Sequence, residues 1–135
     1  MSHLVEAGML TGRPYGGVMI LVNKNLQYFM RSVACSDRYV IVKVGNYLFV
    51  NVYLPCAGSA DRLLLCEETL NEIWSWRQQY PENQIIIAGD FNVDLESYDA
   101  VSRYINNFSC NCLLTRFDEL FPDAKTPTYV NISLN

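Results

Sequence analysis

The stretch Gln84 to Asp94, Gln-Ile-Ile-Ile-Ala-Gly-Asp-Phe-Asn-Val-Asp, most narrows what this chain can fold into. Its short β-branched apolar run reads as a strand buried on both faces. Gly89 ends the run, and Asp90 and Asn92 follow at a spacing of two. In extended backbone, residues two apart point to the same side. One carboxylate and one carboxamide are therefore expected to leave the strand's carboxyl end together, with Phe91 turned back into the core. Open α/β sheets place their ligands at that end.

The neighbouring segments supply a sheet for this strand. Tyr39 to Val44 and Tyr47 to Leu54 are β-branched and aromatic runs around a Gly45-Asn46 link, which reads as an antiparallel hairpin. On its second arm Leu48, Val50, Val52 and Leu54 share one face, and Tyr47, Phe49, Asn51 and Tyr53 the other. Pro55 stops the arm, so Tyr53 also lies near a strand end; on pattern alone it reads as a half-buried packing tyrosine. Asp61 or Ser59 is expected to cap a helix running to about Tyr80. Its stripe of Leu63, Cys66, Leu70, Ile73, Trp74 and Arg77 has helical spacing and suits packing on a sheet. Pro81-Glu82-Asn83 closes that helix, so strand, helix and strand form a crossover unit.

The flanks are less regular. Met1 to Leu10 shows no pattern and is expected to be frayed, with residues 1–11 as a leader before one domain over residues 12–135. Thr11 to Gly17 reads as a loop leading into a strand at Val18 to Val22, and Leu26 to Val33 as a weaker strand. After Asp94, Leu95 to Ser97 leads into a second helix over about Asp99 to Phe108, with Val101, Tyr104, Ile105 and Phe108 on its apolar face. Leu113 to Phe121 is mixed, Pro122 to Lys125 reads as a turn, and Thr126 to Ile132 as a last strand.

Composition excludes several classes. With 135 residues, half of them hydrophobic and 18% charged, the chain is globular, with one core. The apolar run at Val18 to Val22 is cut by Asn23-Lys24-Asn25, so no segment reaches membrane-spanning length. The first residues lack the basic start and apolar stretch of a signal peptide, so a cytoplasmic or nuclear location is expected. Without a secretory signal the Asn107 and Asn131 sequons carry little weight. A net charge of −4 and singly scattered Lys and Arg give no broad basic footprint for nucleic acid. The cysteines, Cys35, Cys56, Cys66, Cys110 and Cys112, include no Cys-x-x-Cys, and His3 stands far from them. Reduced, partly buried thiols are expected rather than a zinc site.

Four blocks in order resemble the endonuclease/exonuclease/phosphatase superfamily of metal-dependent phosphodiesterases. They are Gly12-Arg-Pro-Tyr-Gly-Gly-Val18, Val50-Asn-Val-Tyr-Leu-Pro55, Ile86-Ile-Ala-Gly-Asp-Phe-Asn-Val93, and Phe117-Asp-Glu-Leu-Phe-Pro122 followed by Thr128-Tyr129. The wording is most similar to the endonuclease domains of non-LTR retrotransposons. The resemblance implies an α/β fold belonging to a four-layer α/β/β/α sandwich with mixed, largely antiparallel sheets.

It also implies roles. Asp90 matches the aspartate that orients or deprotonates the attacking water and contributes to a Mg²⁺ or Mn²⁺ site. Asn92 matches the asparagine that helps hold that water or the phosphate, and Tyr53 the tyrosine beside the scissile phosphate. DNA is the implied partner of the parent enzyme, and no membrane is implied. The family's metal-binding glutamate and closing Ser-Asp-His have no match: Glu6 and His3 are out of place, and Cys56 stands where DNA-repair relatives often carry asparagine. The chain is therefore expected to be a central piece of such a domain, cut at both ends. It is expected to bind metal weakly, to be inactive in isolation and to self-associate through open sheet edges. A phosphatase or sphingomyelinase-like activity, a non-catalytic fragment and a flavodoxin-like domain are the competing readings.

Overall fold

The computed structural model describes residues 17–121 and residue 123. They fall into two compact units, which divide between Val93 and Asp94.

The first unit is mixed α/β. A 3-10 turn at Lys24–Phe29 precedes β1 (Met30–Cys35), β2 (Tyr39–Val44) and β3 (Tyr47–Tyr53); helix α1 (Arg62–Gln78) and β4 (Gln84–Asp90) follow. The strands lie side by side in chain order. β1 to β3 pair antiparallel, with a bulge in β1 between Ser32 and Ala34, and β3 pairs parallel with β4. The hairpin link works because Gly45 adopts φ +56°, a conformation that costs glycine nothing. Asn83 and Gln84 then fasten the start of β4 to this turn. The Asn83 side chain donates to the Gly45 carbonyl at 3.3 Å, and the Gln84 amide to the Asn46 carbonyl at 2.9 Å.

Side-chain alternation in the hairpin creates the core. Leu48, Val50, Val52 and Leu54 are buried, together with Ile41 and Tyr39 from β2. α1 touches β2 and buries Cys66, Thr69, Leu70 and Ile73. Leu63, Trp74 and Arg77 of the expected stripe are only half-buried, and Thr69 joins the buried set. Its hydroxyl donates to the Leu65 carbonyl at 2.7 Å, so a buried polar group is satisfied inside its own helix. Burial raises the Tyr39 phenol above its ordinary pKa; Trp76 opposes that shift and Glu72 adds to it.

Several sequence expectations change here. Gly17 to Asn23 has no regular secondary structure, so the strand at Val18 to Val22 is absent. Burial nevertheless alternates along it, with Val18, Ile20 and Val22 half-buried. The weak strand at Leu26 to Val33 is a 3-10 turn as far as Phe29 and a strand only from Met30. β4 is not covered on both faces: it lies at a sheet edge among the described residues, with Ile86 45% exposed. A β-branched run reports strand propensity, but not how many neighbours the strand will have. Asp61 precedes α1 as foreseen but takes φ 54° and makes no side-chain cap bond, while Ser59 faces Cys56.

In the second unit α2 spans Ala100–Asn111, and Asp99 caps it by accepting from the Ser102 amide at 2.7 Å. Val101, Ser102 and Ile105 are buried, with Tyr104 and Phe108 half-buried beside them. The Leu95 carbonyl accepts from the Ser102 hydroxyl and the Asn106 amide. Leu113 leaves the helix at φ +56°, and the Leu114 amide reaches back to the Ser109 carbonyl at 2.8 Å, a Schellman-type closure with leucine in the usual glycine place. The mixed segment after it contains a short helix α3 (Phe117–Leu120). Arg116 bonds Asp118 and sits 3.1 Å from Glu96 and 3.6 Å from Glu119, contacts with Asp118 foremost that raise its pKa further.

The leader, the Gly12 block before Gly17, the expected strand at Thr126 to Ile132, Glu6, His3 and the Asn131 sequon lie outside the described residues. All five cysteines are free thiols, with Cys66 buried. No helix among the described residues is long and apolar enough to cross a membrane.

Candidate functional site

Tyr53, Asp90 and Asn92 meet at the carboxyl ends of β3 and β4. Parallel pairing aligns Tyr47 with Gln84 and continues without a break to Tyr53 and Asp90. The last pair therefore shares one side of the sheet. The Leu54 amide extends the ladder by donating to the Asp90 carbonyl at 2.9 Å. Tyr53 is 43% exposed and Asp90 is exposed, so Tyr53 is not the half-buried packing tyrosine its pattern suggests.

Gly89 makes this approach possible. Its φ is +139°, and a Cβ built there would stand 2.0 Å from the Val52 carbonyl oxygen and 2.7 Å from its nitrogen. No side chain fits in that space. The backbones of β3 and β4 thus close together one residue before the aspartate.

Asn92 joins the site by a different route from the one the spacing implies. The strand ends at Asp90, and Asn92 sits at φ +48°, so the alternation of extended backbone no longer applies to it. Asp90 Oδ1 accepts from the Asn92 amide at 3.0 Å, an Asx turn that folds the chain back on itself. The Asn92 side chain then donates from Nδ2 to the Leu54 carbonyl at 2.8 Å. A carbonyl partner can only accept, which fixes the orientation of the carboxamide. Phe91 is half-buried rather than fully in the core.

Two arginines missed by sequence reading stand at the same end. Arg38 pairs across from Tyr53: its carbonyl accepts from the Tyr53 amide at 2.8 Å, and its Nη1 lies 3.5 Å from the Tyr53 carbonyl. Counting back from the Gly45-Asn46 link would have placed it there. Arg62 opens α1 and donates from Nη2 to the Asn92 carbonyl at 2.6 Å and from Nε to the Pro55 carbonyl at 3.3 Å. Nothing in its sequence setting marks it, because its partners are backbone atoms.

The arrangement can hold a water against a carboxylate beside a phenol, with guanidinium charge close by. One Asp90 oxygen accepts the Asn92 amide, and a carboxylate has about four lone-pair sites, so capacity remains for water or a cation. Mg²⁺ is commonly held by one or two carboxylates, completing its shell with waters and substrate oxygens, which fits an exposed Asp90. No group of three or more His, Cys, Asp and Glu that could hold a metal occurs among the described residues. No family model, curated protein or solved structure matches the chain.

Proposed function

We propose that this chain carries the core of a Mg²⁺- or Mn²⁺-dependent phosphodiester hydrolase of the endonuclease/exonuclease/phosphatase type, with DNA as substrate in the manner of retrotransposon endonucleases. The observation that carries the reading is the register of β3 and β4, which sets Tyr53 beside Asp90 while Asn92 is tied to Leu54. The four-layer sandwich belongs to the same proposal: the described sheet is one layer of it and α1 another.

In this reading Asp90 orients the attacking water and accepts its proton. Tyr53 offers its phenol to a phosphoryl oxygen from the neighbouring strand end. Asn92 offers the part of its carboxamide that does not bind Leu54, at a fixed position because the other part does. Arg38 and Arg62 add positive charge where phosphate would lie, which offsets part of the chain's negative balance. A divalent ion, when bound, supplies counter-charge to the phosphoryl group. With Asp90 as its main carboxylate among the described residues, the ion is held weakly. Turnover by the chain on its own is correspondingly slow.

A pair of substrates tests the reading. Supercoiled plasmid and a p-nitrophenyl phosphomonoester are incubated separately with the chain and Mg²⁺. Nicking without monoester hydrolysis supports a nuclease. Monoester hydrolysis without nicking points to the phosphatase branch, and neither activity leaves only the non-catalytic reading.

A further inference from the structure

We propose that Arg62 is a positioning residue, which holds Asn92 in its working conformation by clamping the loop after β4 to the loop after β3; the inference rests on the hydrolase reading above. Asn92 occupies the left-handed region, at φ +48°, which few residues other than glycine adopt and which asparagine adopts when local hydrogen bonds support it. Something must hold it there. Its amide is taken by Asp90 Oδ1, its side chain by the Leu54 carbonyl, and its own carbonyl by Arg62 Nη2 at 2.6 Å, the shortest of the three bonds. The same guanidinium reaches the Pro55 carbonyl with Nε at 3.3 Å.

Adjacent carbonyls, Leu54 and Pro55, are thus held by Asn92 and by Arg62. The two strand ends bearing Tyr53 and Asp90 are locked together through one half-buried side chain at the start of α1. Such a lock needs the planar fork of arginine, which donates along two fixed directions. A lysine ammonium supplies the charge but not the geometry. Arg62 consequently acts on the reaction through Asn92, with no need to touch substrate.

Proton–nitrogen spectra of the full chain test this without relying on activity. The Asn92 side-chain amide pair is assigned by its loss in Asn92→Asp. In Arg62→Lys and Arg62→Met, that pair is expected to shift toward free-amide positions and to exchange on the order of tenfold faster, in proportion to a lost charged hydrogen bond. The Val50 amide within β3 should stay protected, which reports that the sheet is intact. An unshifted, equally protected Asn92 pair in both variants would overturn the proposal. Plasmid nicking by Arg62→Lys, which keeps the charge, should show kcat lowered on the order of tenfold, with KM for DNA within about twofold. Full kcat in Arg62→Lys would also overturn it. A wild type that never nicks, with an Asn92 pair that still responds to Arg62→Met, sinks the hydrolase reading and leaves the hold of Arg62 on Asn92 standing.

Discussion

Asp90 is the register partner of Tyr53 in the parallel ladder between β3 and β4, although thirty-seven positions and a whole helix separate them in the chain. The distance is closed by the crossover, and the final approach by Gly89. A carboxylate and a phenol are therefore delivered to one end of a sheet by backbone pairing, before any side-chain contact between them is needed.

Gly89→Ala should be the most damaging glycine substitution among the described residues. The added methyl would lie 2.0 Å from a backbone oxygen that cannot rotate away, at a φ that side chains avoid. Overpacking of this kind costs about 1–3 kcal/mol, and strained backbone adds a similar amount. Gly45→Ala and Gly58→Ala meet nothing within 4 Å and should cost only their positive-φ strain, about 1 kcal/mol each. Thermal melts of the three variants check the order.

Asn92 separates conformation from contact. Asn92→Gly keeps the left-handed backbone but loses the bond to Leu54, whereas Asn92→Ala loses both. The glycine variant should be more stable than the alanine variant by about 1 kcal/mol. Both should lose the Asn92 contribution to turnover. Denaturant midpoints measured beside nicking rates check both halves.

The two helix-leading aspartates should behave differently. Asp99 accepts the Ser102 amide and caps α2, so Asp99→Ala should cost about 0.5–2 kcal/mol. Asp61 makes no cap bond, and Asp61→Ala should cost well under that. Equal losses in a denaturant series would contradict the cap assignment.

The hairpin was readable from the sequence, because period-two alternation and Gly45-Asn46 fix both arms and therefore which side of β3 is buried. The crossover was readable from the helical stripe between two strand runs. The meeting of Asp90 and Asn92 was expected, but for a reason that fails: an Asx turn, not strand alternation, brings Asn92 back. Spacing carries no mark of that turn until φ is known. The strand at Val18 to Val22 failed because an apolar run needs a ladder partner to become a strand. Arg62 escaped because a guanidinium that binds carbonyls leaves no complementary residue type in the sequence.

Alkaline pH should weaken the fold through Tyr39. Burial raises its folded-state pKa above the ordinary 10.0, so the folded chain holds this proton where the unfolded chain releases it. The contribution is complete below pH 10.0 and declines as pH rises from there through the folded value. Melting temperatures above pH 10.0 should fall more steeply for wild type than for Tyr39→Phe, and parallel curves would contradict the assignment.

The proposed action of Asp90 is on a phosphodiester at the joined ends of β3 and β4. Its most direct test is nicking of supercoiled plasmid, with protein in excess and with or without Mg²⁺, by the chain and by Asp90→Ala. Slow Mg²⁺-dependent nicking that disappears in the variant is the predicted result. Nicking at the same rate by the variant, or none by either protein, would contradict it.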